Sequence, residues 1–204
     1  MRTLLLFAPR AWRISLTTGR TQVVNSPGPF ERIRISIVDS DTDMDITSLI
    51  EAIQAGDRAT VQTLTQTWDQ TEFNDQGSVA LITAAEQGDT EILHLLIEAN
   101  LNVNQGDEDG WTPLMEASAG GYVELVKQLL TAGANANTPS NEGITPLMAA
   151  AAKGHTEVVT LLVEQGADLK AKDKNSWTAL IWASAEKQSD MVNLLQTLRS
   201  KAGE

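Results

Sequence analysis

The sequence predicts an all-α solenoid of stacked helix-turn-helix repeats with hairpin tips. The main observation is a period of 33 residues, at which one leucine and two glycines recur along the chain. A fixed period of this length is the sequence signature of a stacked repeat array. The recurring residues are Leu81, Leu114, Leu147 and Leu180; Gly88, Gly121 and Gly154; and Gly77, Gly110 and Gly143.

The clearest repeat unit is the segment Asn141–Thr160. A turn glycine, Gly143, precedes Thr145 and Pro146, a pair typical of a helix start because threonine caps the first turn and proline presets its φ. A run of alanines then predicts a thin first helix, and Gly154 ends that helix before a second one begins. The small side chains are expected to let neighbouring repeats approach closely.

Two stretches, Asp107–Asn135 and Ser140–Asp168, resemble the ankyrin repeat. The family pattern D-x-x-G-x-T-P-L-H-x-A-A-x-x-G-H-x-E-V-V-x-L-L-x-x-G-A-D is met by DEDGWTPLMEASAGGYVELVKQLLTAGAN and more closely by SNEGITPLMAAAAKGHTEVVTLLVEQGAD. The resemblance covers the chain from about residue 44 to residue 204 and implies an ankyrin-repeat solenoid. It also implies a binding scaffold, because members of the family bind unrelated partners.

The resemblance divides residues 44–204 into about five repeats. The first and last depart most from the pattern, as expected where one face of a terminal repeat meets water. The predicted boundaries are 44–73 for an N-terminal capping repeat, 74–106, 107–139 and 140–172 for the inner repeats, and 173–204 for a C-terminal capping repeat.

At some positions, other residues replace those that the family pattern requires. Val79 and Ala80 stand where Thr-Pro would start a helix, so the cap is lost there. Asn100 replaces a turn glycine and is expected to keep its positive φ, since asparagine tolerates that conformation. Lys187 replaces the glycine that ends the first helix, which predicts either a strained turn or a longer first helix.

Residues 1–43 do not belong to the repeats. Met1–Arg20 carries four arginines and no acid, a composition that fits an organelle transit peptide, whereas the apolar run Leu4–Ala8 is too short for a secretory signal. Two other readings stay open: an unstructured tail, or a mis-assigned start with translation beginning at Met44. Ile33–Val38 alternates like a short strand but has no evident partner.

The charge is negative and unevenly distributed. The chain has a net charge of −12; residues 1–43 hold six arginines and four acids, and residues 44–204 hold nine basic and 23 acidic residues. An acidic array repels phosphate groups, so we expect no binding to nucleic acid or to an anionic membrane. The absence of cysteine fits a reducing compartment, so we expect a cytoplasmic protein, and we expect it to be a monomer.

The sequence predicts no catalytic, metal or cofactor site. The two histidines, His94 and His155, lie 61 residues apart at non-equivalent repeat positions. His155 is expected to bond nearby backbone, and His94 to lie exposed on a second helix. No nucleophile elbow, dinucleotide fingerprint or phosphate-binding loop occurs in the sequence.

The candidate binding surface comes from the resemblance, which implies that hairpin tips and first helices line a concave groove. The position after each turn glycine points to this groove, and Trp182 occupies a variable first-helix position near it. Large apolar residues at successive tips would form an exposed stripe with an acidic rim, a combination typical of partner sites. The alternative is that each tryptophan packs on the next hairpin, and Trp68 is expected in the core. The tip positions hold Ser78, Trp111, Ile144 and Trp177, and the rim holds Glu108, Asp109, Glu116 and Glu142.

These features leave three functional classes. The first is a protein-interaction module that binds one or more partner proteins with a basic or apolar recognition segment. The second is a regulatory or inhibitory subunit of an enzyme, which co-purification with an enzyme activity would favour. The third is an enzyme, which the missing motifs disfavour and which a bound metal or cofactor would revive.

Overall fold

The computed structural model describes residues 23–25, 33–35, 44–67, 77–201 and 203. The chain divides into two units, Met1–Asp45 and Ile46–Glu204. In the first unit, strand β1 (Val23–Asn25) pairs antiparallel with strand β2 (Ile33–Ile35). The expectation that the strand in Ile33–Val38 has no partner is therefore wrong. Its partner was missed because a run of three residues carries too little periodicity to be recognised from sequence.

The second unit is built from helices that follow one another in pairs, which confirms the predicted all-α repeat fold. Within residues 44–67 and 77–201, ten helices form five consecutive pairs, one pair for each predicted repeat. They are α1 (Met44–Ala55), α2 (Arg58–Thr67), α3 (Gly77–Gln87), α4 (Thr90–Glu98), α5 (Pro113–Gly120), α6 (Val123–Thr131), α7 (Pro146–Lys153), α8 (Thr156–Glu164), α9 (Ala179–Ala185) and α10 (Ser189–Lys201).

The pairs stack so that equivalent helices contact one another. The first helices form one layer, in which α3 packs on α5, α5 on α7 and α7 on α9. The second helices form another, in which α2 packs on α4, α4 on α6 and α6 on α8. One buried apolar cluster runs from Leu49 to Leu195 through these layers. Each repeat therefore buries its apolar faces on its neighbours, as in other repeat arrays.

The Thr-Pro pairs start their helices as predicted. The Oγ1 of Thr112 accepts a hydrogen bond from the Met115 N–H at 3.3 Å, and the Oγ1 of Thr145 accepts one from the Met148 N–H at 3.4 Å. A proline follows each cap, in the first turn, where no intrahelical hydrogen bond needs its N–H. Thr178 stands at the same position of α9 but accepts no such bond.

Replacing Ala150 with leucine is expected to destabilise the array by about 1–3 kcal/mol, because extra methyl groups must enter a packed junction. Ala150 lies on α7 and is completely buried. Ala59→Leu is the matched control, since Ala59 is helical but exposed. Urea unfolding followed by circular dichroism measures both variants. Equal midpoints for Ala150→Leu and the wild type would contradict the close packing of the first helices.

The turns that end several of the helices depend on positive φ. Gly121 and Gly154 adopt φ of 74° and 81° as left-handed C-caps of α5 and α7. Asn100 has φ of 63°, which confirms the expectation that it keeps the turn. Lys187 has φ of 59°, and α9 already ends at Ala185. Of the two alternatives at Lys187, the strained turn is therefore correct and the longer helix is wrong.

A series of side chains links each repeat to the one before it. The Tyr122 hydroxyl donates to the Glu86 carbonyl at 3.4 Å, and the Gln188 Nε2 donates to the Ala152 carbonyl at 3.5 Å. His155, at the equivalent position between them, has its Nε2 3.0 Å from the Ala119 carbonyl. A carbonyl only accepts, so the histidine tautomer here carries its proton on Nε2. This bond confirms the structural role predicted for His155.

Asparagines form a second series of links, at the turns that come after the second helices. The Nδ2 of Asn104 donates to the Gly133 carbonyl, and the Nδ2 of Asn137 donates to the Gly166 carbonyl, both at 2.9 Å. Each asparagine also accepts a backbone N–H of the next repeat through its Oδ1. Both groups of the amide are thus used, which fixes the position of one repeat against the next.

Candidate functional site

One side chain shapes each hairpin tip by accepting two backbone N–H groups. The Oδ1 of Asp107 accepts from Asp109 at 3.0 Å and from Trp111 at 2.8 Å. The Oγ of Ser140 does the same at the next tip, and the Oδ1 of Asp173 at the one after it. The sequence prediction did not include these three residues. An Asp or Ser four residues before each tip residue is the signal that would have revealed them.

Backbone bonds join successive tips. The Asn141 N–H donates to the Asp109 carbonyl at 2.8 Å, and the Lys174 N–H donates to the Glu142 carbonyl at 2.9 Å. The Nδ2 of Asn141 adds a bond to the Glu108 carbonyl at 2.8 Å. The acidic residues at these tips are therefore carried on a backbone that is held at a fixed spacing, which favours rigid recognition.

Trp111 is buried, so the exposure predicted for it is wrong. Its side chain is 3% exposed and packs in a small cluster with Met115 and Ala149, against which Ile144 also packs. Its Nε1 donates to the Oε2 of Glu116 at 2.7 Å, so this carboxylate holds the indole in place. The cause is the next repeat, which contributes Ile144 and Ala149 to cover the ring. The alternative, that this tryptophan helps repeats to stack, describes Trp111 correctly.

Ser78 and Ile144 also differ from the predicted stripe. Ser78 lies inside α3 and is 3% exposed, rather than at an exposed tip. Without a Thr-Pro pair to fix the helix start, α3 extends back to Gly77. Ile144 does lie at a tip, but it is half-buried and contacts both apolar clusters. Trp68 lies outside the described residues.

Trp177 and Trp182 form an aromatic pair that remains accessible. Trp177 is 36% exposed, and its ring meets that of Trp182 edge to face, with centroids 5.1 Å apart. The Nε1 of Trp182 donates to the Oδ2 of Asp173 at 3.1 Å. Asp173 thus holds both the tip and the second indole. Of the apolar residues predicted at the tips, Trp177 is the one that is exposed.

The acidic rim is partly exposed. Glu108 and Glu142 are exposed, whereas Asp109 and Glu116 are half-buried. The Nζ of Lys174 lies 3.4 Å from the Oε1 of Glu142, an exposed ion pair of little energetic weight. The rim therefore presents carboxylates to solvent mainly through Glu108 and Glu142.

Negative charge is concentrated in the first three repeats. Residues 44–140 contain fifteen Asp and Glu but two basic residues, Arg58 and Lys127. Arg58 forms ion pairs with Asp89 and Glu91, and Lys127 pairs with Glu124. Both cations are therefore already engaged with acids, and the excess of carboxylates leaves a negative field over these repeats.

The ion pair of Arg58 also affects the titration of Asp89, which caps α4. Burial alone would raise the pKa of Asp89, but hydrogen bonds from the Ile92 N–H, from Arg58 and from the Glu91 N–H outweigh it and lower the pKa. The carboxylate accepts from both N–H groups at 3.0 Å. Asp89 is therefore ionised at neutral pH and adds to the negative field.

The described part of the chain contains neither a metal-ligand cluster nor a membrane-spanning helix. No three potential ligands among His, Asp and Glu are grouped there so as to hold a metal ion. None of the helices within the described ranges is long and apolar enough to cross a membrane. His94 is exposed on α4, with its Nε2 3.3 Å from Glu98.

The stacked helix pairs, the tip backbone and the recurring links between repeats define a repeat solenoid. The family model described as ankyrin repeats (3 copies) matches residues 49–140 and 117–202. The chain belongs to the ankyrin-repeat family. A comparison with curated proteins found no match. Ankyrin repeats are in general protein–protein interaction modules.

Proposed function

We propose that this array is a binding module for a partner protein that presents a basic segment to the acidic tips. Glu108, Asp109 and Glu142 would face the basic segment, and Trp177 would supply an apolar anchor beside them. Trp111, Ile144 and Glu116 would act indirectly, by holding the tips in place. The module would act by binding rather than by catalysis.

The observation that carries this proposal is the charge of residues 44–140. This segment contains fifteen acidic residues and two basic residues, and both basic residues already form ion pairs. Such a field raises the rate at which a basic partner associates and disfavours acidic ones. The rigid tip backbone supports the proposal further, because a preformed surface loses little conformational entropy on binding.

Removing two charges at the tips is expected to weaken partner capture about three- to tenfold. The effect is modest because each carboxylate would form an exposed ion pair with the partner, and such pairs contribute little binding energy. The full chain serves as bait in a native lysate, and the double variant Glu108→Gln/Glu142→Gln is compared with the wild type. The matched control is Glu124→Gln/Glu157→Gln, which removes two exposed carboxylates from the second helices of the same two repeats. The captured protein is then purified and its dissociation constant measured at low and high salt.

The proposal is supported by a partner that binds the control variant as it binds the wild type, binds the tip variant more weakly and is released by salt. Equal binding to both variants, or binding that strengthens with salt, would contradict it. Trp177→Ala tests the apolar anchor separately, because Trp177 contributes less to the core than Trp111. The identity of the captured protein also distinguishes a scaffold from the regulatory subunit of an enzyme.

A further inference from the structure

The contacts between successive repeats depend on two glycines in each of the repeats 107–139 and 140–172. At Gly121 a Cβ would lie 2.5 Å from the His155 ring, and at Gly143 it would lie 2.9 Å from the Cα of Asp173. At Gly110 a Cβ would lie 3.0 Å from the Asn141 backbone nitrogen, and at Gly154 it would meet the flexible amide end of Gln188 at 2.6 Å. Both positions have positive φ, and both need the space that a missing side chain leaves.

The last repeat lacks glycine at both positions but keeps the backbone conformation. Ser176 has φ of 64° where Gly143 and Gly110 stand in earlier repeats, and Lys187 has φ of 59° where Gly154 and Gly121 stand. Their side chains therefore point to where the tip backbone and the linking side chain of a further repeat would lie. A sixth repeat, or the first repeat of another copy, would have to shift from the usual stacking position to fit there.

The surface that these two residues protect from stacking is nevertheless apolar. Ile181 is 41% exposed, whereas the equivalent Met115 is completely buried by the next repeat. Trp177 is 36% exposed and the equivalent Trp111 is 3% exposed. We call the surface formed by Trp177, Ile181 and Trp182 the C-terminal face. Because ordinary stacking is disfavoured at these two residues, we expect whatever covers this face to meet it in a different arrangement.

The charge distribution favours a second copy of the chain as that partner. Residues 141–204 contain eight acids and seven basic residues, whereas residues 44–140 contain fifteen acids and two basic residues. Two acidic molecules repel each other least where their local charge is closest to zero, and here that region is the last two repeats. A two-fold contact between C-terminal faces also places the acidic repeats of the two copies far apart.

We propose that the C-terminal face is the self-complementary contact of a weak two-fold homodimer. Such a contact is closed, so association stops at two copies. The exposed apolar patch is small, which places the interface at the weak, transient end of the range for protein pairs. Since each copy carries a net charge of −12, added salt screens their repulsion and strengthens the dimer. The proposed dimer differs from the monomer expected from the sequence.

Sedimentation equilibrium of the full chain tests the proposal over micromolar to millimolar concentrations. The average mass should rise with concentration from 22.0 kDa towards twice that value, should level off there, and should rise earlier at high salt. Ile181→Glu places one negative charge from each copy in the contact and is expected to raise the dissociation constant of the dimer at least about tenfold. Val79→Glu is the matched control, because Val79 is 38% exposed on another helix and receives the same charge.

The absence of cysteine in the chain allows a direct test of the two-fold geometry. A residue near a two-fold axis meets its own copy, so Ile181→Cys should form a disulfide dimer under mild oxidation faster than Val79→Cys does. A constant mass of one chain, growth beyond two chains, weaker association at high salt, or equal cross-linking of both cysteine variants would each overturn the proposal. Trp177 belongs both to this face and to the acidic tip site. The deciding variants, Ile181→Glu for the dimer and Glu108→Gln/Glu142→Gln for the tips, therefore each change one site only.

Discussion

Replacing Trp111 with alanine is expected to destabilise the array by about 3–5 kcal/mol, as for other large aromatic side chains removed from a core. The ring is almost fully buried between two repeats, where it contacts Met115 and Ala149. Its loss leaves a cavity at the junction and also leaves the Glu116 carboxylate without its indole donor. The variant should therefore unfold at a lower urea concentration.

Trp177→Ala is the matched control for this prediction. It removes the same side chain from the equivalent position of the last repeat, where 36% of the residue is exposed. Its loss should cost less than half as much, because part of its area is in water in either state and its contact with Trp182 contributes only about 0.5–1.5 kcal/mol. Equal losses of stability in both variants would show that the next repeat does not cover Trp111.

Gly121→Ala is expected to cost about 2–4 kcal/mol, which is more than the usual penalty for a side chain at positive φ. The conformational part is about 1–2 kcal/mol. The rest arises because the new Cβ would overlap the His155 ring, which must move away from the Ala119 carbonyl. Gly166→Ala is the control, since Gly166 has φ of 84° and no atom within 4 Å of the Cβ position. Thermal unfolding of both variants separates the two contributions.

A double variant shows whether the His155 ring is the cause. If it is, Gly121→Ala should cost less in a His155→Ala background, because the overlap is removed along with the ring. An unchanged cost in that background, or a cost equal to that of Gly166→Ala, would mean that the junction tolerates a side chain at residue 121. Lys187, at the equivalent position, would then be no barrier to a further repeat.

The sequence predicted the repeats well because their determinants are local. The Thr112 and Thr145 caps and the left-handed turns at Gly121 and Asn100 each depend on a few neighbouring residues, and all of them occur as expected. The period of 33 residues then places these local features in a stack. The first helix of the second repeat starts earlier than expected because its Thr-Pro pair is missing, which leaves its boundary to packing.

The binding surface was harder to predict because the burial of a tip residue depends on the next repeat in the stack. Trp111 and Trp177 occupy equivalent positions, so periodicity assigns them the same environment. In the structure one is covered by Ile144 and Ala149, whereas the other has no equivalent cover in the described residues. Glu108 and Glu142 are exposed, because charged side chains usually stay at the surface whichever repeat follows, whereas Asp109 and Glu116 are half-buried.

The links between repeats have a consequence for how such a chain changes over generations. Tyr122, His155 and Gln188 differ in chemistry, yet each bonds a main-chain carbonyl of the preceding repeat. Every amino acid supplies that carbonyl, so the bond does not depend on which side chain the accepting residue carries. Whole units that keep the turn glycine can therefore be duplicated, lost or exchanged without matching substitutions at the accepting residue, and the tips can diverge towards new partners while the joints between units stay the same.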